Sequence, residues 1–405
     1  MASPPLTHPE GTLELPLPAA AVPPEAAPTD TGRPALWHVA AVLFAATSVV
    51  VGVIWDISWH MTIGRDTFWT PAHLAIYLGG IVGGVASGVL VLQTTFARDP
   101  ARGAHAVRFW GFRGPLGAWV SIWGAFAMIT SAPFDDWWHN AYGLDVEILS
   151  PPHVVLALGM VALAVGAMLV LLAHQNRASA ADAPRFAWMY SWAAGCVLSF
   201  LAVMLTDWSW RVLQHGSAFY WTACLVYPFF LAAAGNASRL RWGATAIAAA
   251  YMAIRLAMLW ILPRFPAEPG LGPIYQPVTH MIPMEFPLLL VVPAFVMDLA
   301  RQRVRPGRTI LLGVTQGLGF FAAFLLTQWY FAEFLLSEWS RNALFGTHYF
   351  PYSVPSTSSL VRHVFVPLEA SDAALRVGLL KAAAFAVGSA LVGVAWSRWY
   401  QRVRR

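Results

Sequence analysis

Two stretches of the chain carry carboxylate and imidazole side chains at spacings suited to holding a cation. The first reads Asp56-Ile-Ser-Trp-His60, then Arg65-Asp66-Thr67, then Thr70-Pro71-Ala72-His73. The second reads Asp135-Asp136-Trp137-Trp138-His139, then Asp145, then Ser150-Pro151-Pro152-His153. In each, an Asp precedes a His by four residues, a further Asp follows that His by six, and a second His follows a Pro. Residues four apart lie on one face of a helix, one turn from each other. Pro is favoured at the first helical position, so His73 and His153 open the next helices. A helical hairpin would therefore bring Asp56, His60 and His73 together, and likewise Asp135, His139 and His153. Two imidazoles and one carboxylate with open positions suit Fe(II), Cu or Zn, and the donor types alone do not choose among these. Asp66 and Asp145 are placed to orient the imidazoles.

The elements that must position these residues follow from the composition. The chain has 405 residues, 58% hydrophobic and 11% charged, with a mean hydropathy of +0.57; soluble domains carry roughly 25% charged residues. These values exclude an ordinary soluble enzyme, a disordered chain and, despite a net charge of +5, a nucleic-acid binder. Apolar runs long enough to cross a lipid bilayer recur along the chain, while the alternating segments of membrane barrels do not occur. The expected fold is all-α: a polytopic membrane helical bundle of about ten transmembrane helices with a repeated two-helix metal-binding hairpin. Spans are read at 36–58, 72–96, 116–136, 151–173, 186–206, 217–235, 242–262, 284–299, 309–336 and 375–397. The first four form a metal-binding region over 36–175. The last six form a second membrane region over 176–405, with a long outer loop near 337–374. Residues 1–35, rich in Pro and Ala, read as a disordered tail. Cys196 and Cys224 lie in apolar stretches and form no C-x-x-C pair, which leaves any metal chemistry to His and carboxylates.

Basic residues set the expected orientation. Arg98, Arg102, Arg108 and Arg113 follow the second span, Arg177 and Arg185 the fourth, and Arg239 and Arg241 the sixth. Arg301, Arg303, Arg305 and Arg308 follow the eighth, and Arg398, Arg402, Arg404 and Arg405 end the chain. The positive-inside rule places these loops and both termini in the cytoplasm. The carboxylate–imidazole hairpins then face the outer side of a bacterial-type plasma membrane.

At the hairpins the sequence resembles the C-type subunit of the copper membrane monooxygenases, the particulate methane monooxygenase and ammonia monooxygenase family. Asp56-x-Ser-Trp-His60, followed by Arg65-Asp66-Thr67-x-x-Thr70-Pro71-x-His73, is similar to the first copper motif of that family, whose matching Asp, His and His are copper ligands. Asp135, Asp136, Trp137, His139, Pro151 and His153 fall on the family's other motif, with Asp135 where the family usually has Asn. The resemblance covers residues 56–153. It implies two copper sites, monooxygenase-type partner subunits or a copper donor, and O2-dependent oxidation of a small apolar substrate. A membrane copper carrier or reservoir without oxygen chemistry is the alternative, and a transporter of an organic substrate is a weaker one.

Other polar residues stand out against the apolar background. Asp207, Arg211 and His215 lie four residues apart in series; an Asp207–Arg211 pair with an interfacial His is the plainer reading, and a share in a substrate or metal pocket the sharper one. His280, Met281, Met284 and Glu285 open the eighth span, where His280 and Met284 could pass Cu(I) toward the hairpins, thioether being a soft ligand; Met as apolar filler is the plainer reading. Arg255, Glu333 and Lys381 lie within spans seven, nine and ten, where buried charges pair or line cavities. An ion pair among them, holding the C-terminal bundle together, is expected.

Overall fold

A computed structural model describes residues 37–64, 68–98, 105–143, 150–270, 278–349, 365 and 369–404. The expected tail over 1–35, Asp66, Asp145 and much of the loop near 337–374 lie outside the described residues. Eleven α-helices follow in order among the described residues: α1 (Trp37–Thr62), α2 (Pro71–Thr95), α3 (Leu116–Tyr142), α4 (Pro151–Arg177), α5 (Ala183–Met204), the short α6 (Thr206–Ser209), α7 (Ser217–Ala237), α8 (Gly243–Ile261), α9 (Val291–Arg303), α10 (Thr309–Phe334) and α11 (Asp372–Arg402). Nine helices among the described residues are long and apolar enough to cross a membrane. The protein is an all-α polytopic bundle. Leu78, Ile81, Val85, Phe126, Ile129 and Leu158 are exposed on its sides, as a lipid-facing surface requires. A two-residue turn at Trp110-Gly111, with φ of 46° and 85°, joins the short antiparallel strands β1 (Val107–Phe109) and β2 (Phe112–Gly114).

The eighth expected span, 284–299, is corrected. Its helix begins only at Val291, and residues 281–289 are not helical. Pro283 and Pro287 explain this: each lacks an N–H and drives the residue before it out of the helical region. Residues 278–290 instead form a strap that is largely buried. Because α9 still ends among the arginine-bearing loops, the chain keeps its alternation from one end of the bundle to the other.

Those loops gather at one end through hydrogen bonds. Arg239 Nη2 donates to the Asn176 carbonyl (3.1 Å) and Arg301 Nη2 to that of Leu240 (2.6 Å), while Arg113 Nη2 closes its own loop on the Thr95 carbonyl (3.0 Å). Asn176 Nδ2 adds a bond to the Tyr400 carbonyl (2.9 Å). The helix ends that carry Asp56, His73, Asp135 and His153 lie at the other end. Close helix contacts fix this: Gly80 faces Met128 and Gly84 faces Ala125, so α2 and α3 run antiparallel.

Small residues let the hairpin helices touch backbone to backbone, as expected where burial of apolar surface does not drive helices together. A Cβ on Gly124 would lie 2.6 Å from the Gly159 carbonyl oxygen, and one on Gly166 2.6 Å from that of Gly117. In the first hairpin, Gly52 approaches Ile76 and Ala72, and Gly79 approaches Ala45 and Val49. Gly88 has open space where a Cβ would stand. Gly124→Ala and Gly166→Ala should each lower thermal stability, on the order of 1–3 kcal/mol from overpacking. Gly88→Ala should leave it unchanged or slightly raised; equal effects at all three positions in thermal unfolding would contradict this account of the contact.

Candidate functional site

The first hairpin ends on a cap that orders its imidazole. Pro71 starts α2, and Thr70 Oγ1 accepts from the His73 backbone N–H at 3.3 Å. Asp56 and His60 occupy successive turns near the end of α1. Asp56 reaches both imidazoles: its Oδ1 lies 3.2 Å from His73 Nε2 and its Oδ2 lies 3.7 Å from His60 Nε2. His73 Nδ1 donates to the Phe68 carbonyl at 3.4 Å, and the Tyr77 hydroxyl donates to the same oxygen at 3.2 Å. A carbonyl can only accept, so a ring proton sits on Nδ1 and Nε2 is left to face Asp56.

The second hairpin brings the same three residue types together. Asp135 Oδ1 stands 3.7 Å from His139 Nε2 and 3.6 Å from His153 Nε2. The adjacent Asp136 has its Oδ2 held by Asn140 Nδ2 at 3.4 Å. Pro133, two residues before Asp135, removes one backbone bond from the last turns of α3. Asp56 and His73 are each 23% exposed and His153 34%, while His60 is the most open of the set at 49%.

The pair separations suit a bound cation. Ligands bonded to one ion at about 2.0–2.2 Å and a tetrahedral angle stand about 3.4 Å apart, within the 3.2–3.7 Å range found here. Among the described residues, however, no group of three or more His, Cys, Asp or Glu side chains forms a ready metal cage. The donor types and pair distances fit; closing a cage requires the imidazoles to converge further.

The other sequence candidates are drawn into different contacts. Asp207 is exposed, while Arg211 is buried and turns to the strap, where its Nη1 lies 3.8 Å from Glu285 Oε1. His215 is sandwiched between Trp329 and Phe365, with ring centroids 4.1 and 3.5 Å away. Its Nε2 is 3.1 Å from the Trp329 carbonyl and 3.8 Å from Glu333 Oε1. Burial pushes this imidazole below its ordinary pKa, against the raising effects of the carbonyl and Glu333. His280 stacks on Tyr349 at 3.6 Å, and Met284 Sδ accepts from Arg255 Nη1 at 2.9 Å. His280 and Met284 are thus each held by their own neighbours. Lys381 lies over the Trp221 ring at 4.6 Å. Among the described residues, the expected ion pair linking Arg255, Glu333 and Lys381 is not formed.

Sequence reasoning missed the groups that hold the strap. Ser58 Oγ donates to the Ile282 carbonyl (2.5 Å), and the Ile282 N–H donates to Thr62 Oγ1 (2.8 Å). Ser58 and Thr62 lie on α1 beside Asp56 and His60. Leu288 N–H donates to the Tyr251 hydroxyl (3.1 Å) and Leu289 N–H to Gln328 Oε1 (3.0 Å). Gln328 Nε2 in turn donates to Gln214 Oε1 (2.8 Å). A Gln within an apolar helix was the available signal. His38 and His174 also meet, Nε2 to Nε2 at 3.4 Å, across α1 and α4.

No protein-family model, curated protein or solved structure matches this chain.

The His215 sandwich predicts a pH effect. An imidazole whose folded pKa is depressed is neutral in both states above about 6.5, so its packing is fully stabilising there. As pH falls below that value the unfolded chain gains the proton first, and stability is lost. His215→Phe keeps the stacking and lacks the proton. Between pH 7 and 5 the wild type should therefore lose thermal stability more steeply than His215→Phe; parallel slopes would contradict the burial of a neutral ring.

Proposed function

We propose that this chain is a metal-binding integral membrane protein in which each hairpin holds one ion, with copper the metal that the resemblance to the copper membrane monooxygenases implies. The facing of His73 Nε2 and Asp56 Oδ1 at 3.2 Å carries the reading. With Nδ1 directed at the Phe68 carbonyl, the ring turns its other nitrogen, Nε2, to the carboxylate. Two acceptors facing each other repel unless positive charge lies between them. A second proton on His73 or a metal ion meets that requirement, and a metal ion also engages His60, 3.7 Å from the other carboxylate oxygen. The second hairpin supports the reading by offering one carboxylate and two imidazoles at 3.6 and 3.7 Å.

In this reading Asp56, His60 and His73 bind one ion, and Asp135, His139 and His153 bind the other. Asp66 and Asp145 orient the imidazoles. Bound copper would supply O2 activation for oxidation of a small apolar substrate. The chain's own contribution is to hold the ligands at the bundle end, where substrates that partition into lipid arrive along the apolar helix faces. The resemblance further implies monooxygenase-type partner subunits or a copper donor, and the arginine-bearing loops imply an outward-facing site in a bacterial-type plasma membrane.

Metal quantification on the purified chain tests the assignment. Copper-loaded wild type should carry about two ions, His60→Ala and His139→Ala about one each, and the double variant almost none. Near-stoichiometric copper surviving the double substitution would overturn the sites. Zinc or iron retained in preference to copper would overturn the metal's identity.

A further inference from the structure

A second concentration of charge lies apart from both hairpins, behind the strap. Arg211 is 3% exposed and Arg255 9% exposed. Glu285 is the carboxylate between them, and it is committed to Arg211: its Oε2 accepts from the Arg211 backbone N–H at 2.9 Å, and its Oε1 lies 3.8 Å from Nη1. Arg255 has no carboxylate within 4.0 Å among the described residues. Its two hydrogen bonds are from Nη1 to Met284 Sδ (2.9 Å) and from Nη2 to the Glu285 carbonyl (3.4 Å). A thioether is a weak acceptor, so a guanidinium with five donors in a planar fork spends one on a poor partner and leaves others unused. The cluster holds one net positive charge inside an apolar bundle, where an unpaired charge is strongly disfavoured.

This guanidinium lines a cleft shared with Tyr251, Trp210, Gln214, Met284 and Glu285. The Tyr251 hydroxyl oxygen accepts from Leu288 N–H, which leaves its own O–H free to donate. Two kinds of donor therefore meet in one small space, and Gln214 already has its amide engaged at both ends. The cavity is about 30 Å³, room for one or two water-sized groups and not for a bulky ligand.

We propose that this cleft binds a small carboxylate-type oxyanion, gripped by the Arg255 guanidinium and the Tyr251 hydroxyl. A planar oxyanion matches the guanidinium fork through two parallel hydrogen bonds, which a spherical halide cannot do. The site is independent of the metal reading, since none of its residues belongs to either hairpin trio.

The test is thermal unfolding of the purified full-length chain, followed by tryptophan fluorescence. Sodium formate is titrated against sodium chloride at constant ionic strength. Wild type should show a saturable rise in melting temperature with formate. Arg255→Gln should raise the formate midpoint at least tenfold, and Arg255→Lys and Tyr251→Phe should give intermediate values. Lys381→Met, which removes a cation elsewhere in the bundle, should keep the wild-type midpoint. Wild-type midpoints in both Arg255→Lys and Tyr251→Phe would overturn the site even if Arg255→Gln fails to fold. A wild-type shift no larger with formate than with chloride would overturn the oxyanion assignment.

Discussion

Within an apolar bundle every backbone N–H and C=O must find its partner inside the protein, because lipid offers none. The long helices meet this rule within themselves. Residues 278–290 cannot be helical throughout, because Pro283 and Pro287 interrupt them, and so their polar groups are answered partly by other backbone, as where Met281 N–H donates to the Phe265 carbonyl (3.1 Å), and partly by side chains. Ser58 and Thr62 answer Ile282, Tyr251 answers Leu288 and Gln328 answers Leu289. That requirement draws polar residues from α1, α8 and α10 toward one strap. It also gathers Arg211, Arg255 and Glu285 in the same place. The strap is bonded to the same turns of α1 that carry Asp56 and His60, so the first hairpin and the charged cleft share one support.

The hairpins depend on a second constraint, the close approach of their helices. Gly117 and Gly124 on α3 meet Gly166 and Gly159 on α4 with almost no side-chain material between them. Such contact fixes the relative height of the two helices, and that height decides whether a carboxylate on one can reach an imidazole on the other. In the first hairpin the pairing of Gly52 and Gly79 with α2 and α1 has the same effect. The Thr70 cap and Pro71 then aim His73 back at Asp56. Helix packing far from the carboxylates is therefore what brings His73 to 3.2 Å from Asp56 and His153 to 3.6 Å from Asp135, while the spacing of Asp56 to His60 and of Asp135 to His139 is set within one helix turn.

The long apolar helices are legible from hydropathy because each needs only its own composition to be recognised. The Asp-x-x-x-His spacing is legible for a similar reason: a helical turn is a local fact. The two Pro of the strap are visible too, yet the apolar residues around them outweigh the backbone restriction in a hydropathy reading, which draws the eighth span as a helix. Partners of charged residues are the least legible. Asp207 and Arg211 sit four apart in sequence, but Arg211 turns to Glu285, 74 residues away. Lys381 finds an aromatic face rather than a carboxylate. These choices depend on which helices are neighbours, and nothing local encodes that.

The central claim is that each hairpin holds one metal ion between its Asp and its two His. Anomalous diffraction at the copper edge from copper-loaded crystals tests it most directly. The account predicts two peaks, one about 2.0–2.2 Å from His60 Nε2 and His73 Nε2 and the other at the same distance from His139 Nε2 and His153 Nε2. Copper bound elsewhere, with both hairpins empty and their carboxylates still paired to the imidazoles, would contradict it.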